Sequence, residues 1–348
     1  MSAWLTPTIA RYVAIGAIVS SITAVVVVKN TRSSSVGESD IIVEQWDQLA
    51  GAPWLKANLN NARVVLPDRP HSRAEIEAQQ LGEPTTIHRV REYSLNTGSM
   101  RLRGGDPPPA QPNVLRIIAI GDSVTHGWGV SEEASWPSQL ERSLNESGVS
   151  ATVINAGVPA NTIQTMSTWC HRVAPGLSPD WILWTRRPDS RTHNATQTYV
   201  ASLRRCQQAT NARIMAVLPP ISMFDTYGRE VRHSEVVELR NVLGNEVDVL
   251  ELTDTFRAAQ AGTGTGLTVS DRLLQVVDQH TGTILLEAPA TETALPTEIY
   301  DLFERDSSVK ESLFFDEGHP DEEGFRLFGE TVAQALILHI QPERQESP

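Results

Sequence analysis

From residue 114 onward the apolar positions follow two alternating rhythms. Val114 to Ile120 (VLRIIAI) is a short apolar run, the pattern of a strand buried on both faces. Trp136, Leu140 and Leu144 then recur at helical spacing, with Pro137 in the first turn, where its missing N–H is harmless. Ala151 to Asn155 predicts a second strand, and Ile163, Met166, Cys170 and Val173 a second helix. Asp180 to Thr185 (DWILWT) predicts a third strand, followed by a helix carrying Tyr199, Leu203 and Cys206. Arg213 to Leu218 and Val247 to Leu252 predict the fourth and fifth strands. Phe325, Phe328, Val332 and Leu336 mark a last helix, with Asp321 as its N-cap and Glu322 and Glu323 in the first turn. Strands and helices in this order imply an α/β unit, a parallel sheet with helices on both faces.

The rhythm fails in places that define the organisation. Ala261 to Lys310 interrupts it and reads as an insertion near the site. Gly104 to Pro112 (GGDPPPAQP) can be neither helix nor central strand. Upstream, Thr31 to Asp40 is a polar linker. Ile41 to Arg103 carries scattered apolar residues (Trp46, Leu49, Trp54, Leu55) and a strand-like stretch, Thr86 to Leu95. This part is expected to be an N-terminal extension packed on the main unit. The chain thus divides into an N-terminal segment (1–30), linker and extension (31–112), the main domain (113–341, with the insertion at about 261–310) and a tail (342–348).

Tyr12 to Val28 (YVAIGAIVSSITAVVVV) is uncharged and mostly apolar. It sits at the short end of the roughly 17–25 residues that span a bilayer. Arg11 precedes it and Lys29 and Arg32 follow, a balance that does not set orientation. The following VVVVKNTRSSS lacks a small-residue cleavage site, which favours an uncleaved membrane anchor over a cleaved signal peptide or a buried core segment. The expected location is membrane-anchored, with the main domain outside the cytoplasm; secretion after cleavage is the alternative.

Composition narrows the function classes. The 348 residues are 40% hydrophobic and 20% charged, as in globular proteins with a sizeable core. A formal charge of −13 repels phosphate backbones and argues against a nucleic-acid partner. The two cysteines form no CxxC, no His/Cys/Asp cluster has metal-ligand spacing, and no GxxxxGK[ST] loop is present, so neither metal nor cofactor is expected.

Gly121-Asp122-Ser123 directly follows the first strand. Ligands of open α/β sheets bind outside the carboxyl ends of the strands, which is where Ser123 lies. A serine hydroxyl needs a base to take its proton, and the base needs an acid to fix its tautomer. Among nine histidines the best placed is His319, in Asp316-Glu317-Gly318-His319-Pro320 before the last helix. Asp316, three residues earlier, has the spacing to reach Nδ1 while Nε2 points to Ser123. His126 follows Ser123 by three residues with no acid to orient it, and is expected to be structural or site-lining.

These segments together resemble the GDSL, or SGNH, hydrolase family. GDSVTHGWGV at 121–130 is similar to its first block, NAGVPANT at 155–162 to its second, and DEGHP at 316–320 to its last. The resemblance covers Val114 to Ile340. It implies a flavodoxin-like three-layer α/β/α sandwich with a mainly parallel five-stranded sheet. It further implies a Ser123–His319–Asp316 triad and an oxyanion hole formed by the amides of Ser123 and Gly157. The GxSxG elbow of α/β-hydrolases is absent. The third block departs from the family's GxND: the stretch Trp184-Thr185-Arg186-Arg187-Pro188-Asp189-Ser190 puts Asp189 at the usual Asn position. An ionised aspartate only accepts hydrogen bonds and opposes an oxyanion. Arg186, Arg187 and Asn194 are the replacement donors at hand, the alternative being a hole of two amides. Asp122, Trp128, Arg186 and Arg187 are the candidate substrate-binding residues. In the family's strand order the helices bearing Cys170 and Cys206 lie side by side, either as buried thiols or as a disulfide.

The resemblance implies an ester hydrolase working through an acyl-enzyme. Short acyl groups on carbohydrate or small molecules are the substrates favoured by family analogy. Two alternatives stand beside it. One is a membrane-tethered O-acyltransferase, in which a polysaccharide hydroxyl replaces water; the other is an inactive binding descendant.

Overall fold

The strand rhythm read from residue 114 closes, in a computed structural model, into one five-stranded parallel sheet of order β6-β5-β7-β8-β9. The structure describes residues 42–46, 52–67, 90–188, 194–221, 231–261, 265–269, 273–289, 313–315 and 318–345. The sheet strands are β5 (Leu115–Gly121), β6 (Ala151–Gly157), β7 (Trp181–Thr185), β8 (Arg213–Leu218) and β9 (Asp248–Glu251). The intervening helices are α1 (Ser123–His126), α2 (Trp136–Glu146), α3 (Ile163–Arg172), α4 (Ala195–Thr210), α5 (Val231–Leu243) and α6 (Thr253–Gln260), with α7 (Glu322–Gln345) last. Helices α1, α5 and α6 are additions to the elements expected from the sequence.

β5 sits inside the sheet and shows why its run is apolar throughout. Ile118 and Ile120 pack with Met166 and Trp169 of α3 and Leu203 of α4. Ile117 and Ala119 pack on the opposite face with Leu140 of α2 and Phe328 and Val332 of α7. Successive side chains alternate between the two layers, so each face of the strand meets a helix layer. The result is a three-layer α/β/α sandwich. Helix ends follow the same local chemistry: Thr162 and Thr165 form a reciprocal capping box at α3, and Asp321 Oδ1 accepts the Gly324 N–H at α7.

Register sets the site. Gly121 pairs with Gly157 on one side and with Thr185 on the other. The carboxyl ends of β5, β6 and β7 are therefore level, and the segments starting at Asp122, Val158 and Arg186 leave the sheet side by side.

Cys170 on α3 and Cys206 on α4 form a disulfide, with Cα atoms 5.4 Å apart. The buried-thiol alternative is set aside, because two helices on the same face bring the residues to bonding distance. The bridge spans 36 positions, worth about 4 kcal/mol on the chain-entropy relation.

Two antiparallel hairpins form the upstream part, β1 (Val43–Trp46) with β2 (Ala52–Leu55) and β3 (Ala62–Pro67) with β4 (Val90–Leu95). Trp54 stacks on Trp169 of α3, centroids 5.4 Å apart, so this segment shares the main core. Within the expected insertion, β10 (Thr265–Val269), β11 (Leu273–Asp278) and β12 (Ile284–Pro289) form a three-stranded antiparallel sheet. Among the described residues no helix is long and apolar enough to cross a membrane. The apolar run Tyr12 to Val28 lies outside the described residues.

Candidate active site

The nucleophile turn is built at the end of β5. A Cβ on Gly121 would sit 2.0 Å from Thr125 Oγ1 and 2.5 Å from the Thr185 carbonyl oxygen. Only glycine lets α1 fold back over the strand end. Asp122 caps α1 by accepting the Val124 N–H at 3.1 Å, and Gly127 ends the helix in the left-handed region (φ 78°). Ser123 is thereby fixed as the first residue of a single helical turn.

His319 arrives from the loop before α7. Phe315 N–H donates to the His319 carbonyl at 3.1 Å and Asp321 N–H to the Leu313 carbonyl at 3.0 Å, which fold this loop tightly. The imidazole is buried, and its Nε2 lies 2.9 Å from Ser123 Oγ. Two residues 196 positions apart thus meet at hydrogen-bond distance. Phe315 stacks nearly parallel to the His319 ring (5.7 Å, 16°), and Trp128 stands 6.5 Å away on another side. Both rings border the base, in keeping with a lining role for Trp128. Asp316 and Asp189 lie outside the described residues.

Three candidate residues make hydrogen bonds of their own within the fold. Gly157 donates its N–H to Asn155 Oδ1 at 3.0 Å, so that amide is already occupied. Its lack of a side chain matters more: a Cβ there would be 2.2 Å from the His126 N atom, so Gly157 lets α1 lie against the end of β6. Both carboxylate oxygens of Asp122 are engaged as well. One oxygen caps α1 and the other accepts Arg186 Nη1 at 2.6 Å. Arg187 turns away from Ser123. Its Nε donates to the Pro219 carbonyl at 3.0 Å, and its Nη2 donates to Thr253 Oγ1 at 3.0 Å and to the Glu251 carboxylate. It ties the end of β7 to the ends of β8 and β9. Arg186 keeps the expected place: Nη1 bonds both Asp122 Oδ2 and the Asn161 carbonyl at 2.6 Å, next to the nucleophile.

Sequence reasoning missed four contributors. Asn161 is fully buried and donates from Nδ2 to the Gly121 carbonyl at 3.2 Å, pinning the loop after β6 to the turn before Ser123. Arg103 is buried and donates to the carbonyls of Gly127 and Val130, at 2.8 Å each, and to that of His126. Tyr93 on β4 places its hydroxyl 3.2 Å from His126 Nε2. Arg91 covers the far face of the Phe315 site at 4.2 Å from the ring centroid. For Tyr93 and Arg91 the hint in the sequence was the strand-like stretch Thr86 to Leu95, and for Asn161 its place within NAGVPANT; nothing in the sequence marked Arg103.

His126, expected to be structural or site-lining, is fully buried. Burial, and then the charge of Arg103, hold its pKa well below the usual histidine value. The unfolded chain binds a proton there near pH 6.5, and the folded chain resists it. The stability contribution is therefore complete above about pH 6.5 and is lost as pH falls below it. Between pH 6.5 and 5.5 the protein should lose about 1 kcal/mol more stability than its His126→Gln variant, measured by urea titration at each pH. Equal losses would show that His126 protonates freely in the fold.

Among the described residues no group of His, Cys, Asp and Glu is arranged to hold a metal ion. The arrangement present is a hydroxyl against an imidazole nitrogen, flanked by a tethered guanidinium and two aromatic rings. It suits nucleophilic attack on an acyl carbon.

The pattern of the GDSL-like Lipase/Acylhydrolase family matches residues 119–327. The chain is also similar to several solved structures. A member of the lipolytic G-D-S-L family from Veillonella parvula is 16% identical, over 65% of this chain and 98% of that one (TM-score 0.39). The lipase/acylhydrolase from Enterococcus faecalis is 15% identical over 64% and 95% (TM-score 0.42). An acetyl xylan esterase is 15% identical over 64% and 100% (TM-score 0.41). No curated protein matches the chain.

Proposed function

This chain belongs to the GDSL-like lipase/acylhydrolase family of ester-bond hydrolases, and from that premise we propose a serine esterase in which Ser123 is the nucleophile, His319 the base and Asp316 the orienting acid. The observation that carries the reading is the 2.9 Å contact between Ser123 Oγ and His319 Nε2. Ser123 Oγ attacks the acyl carbon while its proton passes to Nε2 and the carbonyl pair moves onto oxygen. The tetrahedral intermediate collapses, and the alcohol leaves with the proton from His319. Water then attacks the acyl-serine, giving its proton to His319, and the acid departs as Ser123 regains its hydrogen. Asp316, in DxxH spacing, stabilises the imidazolium formed in each half.

The substrate we favour is a short acyl ester on a carbohydrate. The partly exposed ring of Trp128 beside the base offers a flat surface for sugar C–H groups, and Asp122, Asn161 and Arg186 give the nucleophile a polar flank unsuited to a long lipid chain. The Cys170–Cys206 disulfide supports a catalytic unit outside the cytoplasm, with Tyr12 to Val28 as its anchor. Incubation with an O-acetylated oligosaccharide should release free acetate, followed by mass spectrometry and acetate assay. Acetate that moves to an acceptor glycan with none freed would replace the hydrolase by the acyltransferase.

A further inference from the structure

Resting on the esterase reading, the structure points to one more catalytic group: we propose that Arg186 is the side-chain donor of the oxyanion hole. Arg186 is the first residue after β7, and the register of Thr185 with Gly121 brings it out of the sheet beside Asp122-Ser123. Its guanidinium is clamped between the two loops that flank the nucleophile. Nη1 uses both of its hydrogens, on Asp122 Oδ2 and on the Asn161 carbonyl, each at 2.6 Å. Asn161 is itself tied to the Gly121 carbonyl through Nδ2. The plane of the guanidinium is therefore set before any substrate arrives, which is the condition for preorganised stabilisation.

The remaining donors are not spent. Nε is buried with no acceptor among the described residues, whereas the side chain as a whole is 22% exposed, so the donor of the fork open to an incoming oxygen is Nη2. The neighbouring Arg187 also keeps one unmet buried donor, Nη1, but its Nε and Nη2 are bound to Pro219, Glu251 and Thr253, at the ends of β8 and β9, and the Gly157 amide is bound to Asn155. Arg186 is thus the side chain of this segment, among the described residues, held against the residue preceding Ser123. Asp122 balances its charge in the resting state, so the guanidinium is not a bare cation in the site. When Ser123 Oγ bonds to the acyl carbon and the carbonyl pair moves onto oxygen, that oxygen takes N–H donation from Arg186. When the oxygen re-forms the carbonyl and expels the alcohol, the donation weakens again. An interaction that strengthens only with developing charge acts on kcat.

The test uses the full chain. Wild type, Arg186→Ala and Arg186→Lys are assayed on p-nitrophenyl acetate, and each is timed for inactivation by a neutral fluorophosphonate, whose attack also builds charge on oxygen. Arg186→Ala should lower kcat by about 10²–10³ with KM within about three-fold, and slow inactivation by a similar factor. Arg186→Lys keeps the charge and a tether to Asp122 but lacks the planar fork, and should still lose at least about ten-fold in kcat. It stands in for Arg186→Ala should that variant not fold. Folded variants with kcat within about three-fold of wild type, or with the loss confined to KM, overturn the assignment while leaving the esterase reading intact. A wild type that neither turns over nor is inactivated removes both.

Discussion

Replacing Ser123 by alanine should lower ester turnover by about 10⁴ or more, with the fold unchanged. Ser123 is half-buried at the start of α1, and its hydroxyl lies 2.9 Å from His319 Nε2. Deleting that hydroxyl removes a nucleophile and leaves α1 held by Asp122, Gly127 and Arg103. His319→Ala and Asp316→Asn should each fall by a similar factor, the second because an amide fixes the wrong imidazole tautomer. Residues that act as one device are not additive, so Ser123→Ala combined with His319→Ala should be no slower than the worse single variant. Steady-state kinetics with circular dichroism as a fold check decides this. A Ser123→Ala protein with wild-type turnover would place the nucleophile elsewhere. Multiplying losses in the double variant would separate the two residues functionally.

Arg103→Met should destabilise the protein by at least about 3 kcal/mol in urea titration, a large share of a typical domain's stability. The side chain is 4% exposed and closes the turn after α1 by bonding three carbonyls, of His126, Gly127 and Val130. Its guanidinium also lies over the Tyr93 ring, 5.3 Å from the centroid. Methionine fills similar volume yet leaves those buried carbonyls unpaired, at roughly 1–3 kcal/mol each. Lysine has one ammonium where arginine has a fork, so Arg103→Lys should recover only part of the loss. Turnover should fall with stability, since the turn that Arg103 holds begins at the end of the nucleophile helix. A change under about 1 kcal/mol would mean that water replaces the guanidinium at no penalty.

This second result concerns a residue upstream of the stretch that matches the family. Arg103, Tyr93, Arg91 and Trp54 all precede residue 119, yet they touch α1, Phe315 and α3. The upstream hairpins are part of how this chain holds its site.

What was legible in the sequence follows from what local pattern encodes. The apolar runs at VLRIIAI and DWILWT mark strands buried on both faces, because burial by two helix layers demands it. Ser123 and His319 were legible because a strand-end turn and a helix-preceding loop are local features. Partner choice across the sheet was not. Arg186 and Arg187 look alike in sequence, and only the pairing of β7 with both β5 and β8 sends one to Asp122 and the other to Glu251. The resemblance to the second block implies an amide donor at Gly157, but Asn155 two residues earlier accepts its N–H and α1 takes its open face. Cys170 and Cys206 became a bridge because α3 and α4 are neighbours, a fact of topology rather than spacing. Helix α5 escaped notice although its buried Val236, Leu239 and Leu243 stand at helical spacing, because the exposed Val237 and Val242 blur the apolar stripe.

The central claim is that Ser123 is an activated nucleophile. The most direct test treats the protein and its Ser123→Ala counterpart with a fluorophosphonate, maps the adduct by peptide mass spectrometry, and follows p-nitrophenyl acetate hydrolysis in parallel. The account predicts one phosphonyl group on Ser123, loss of turnover in step with labelling, and neither label nor turnover in the alanine protein. A folded wild type that carries no adduct at Ser123, or that keeps its turnover once labelled, would contradict it.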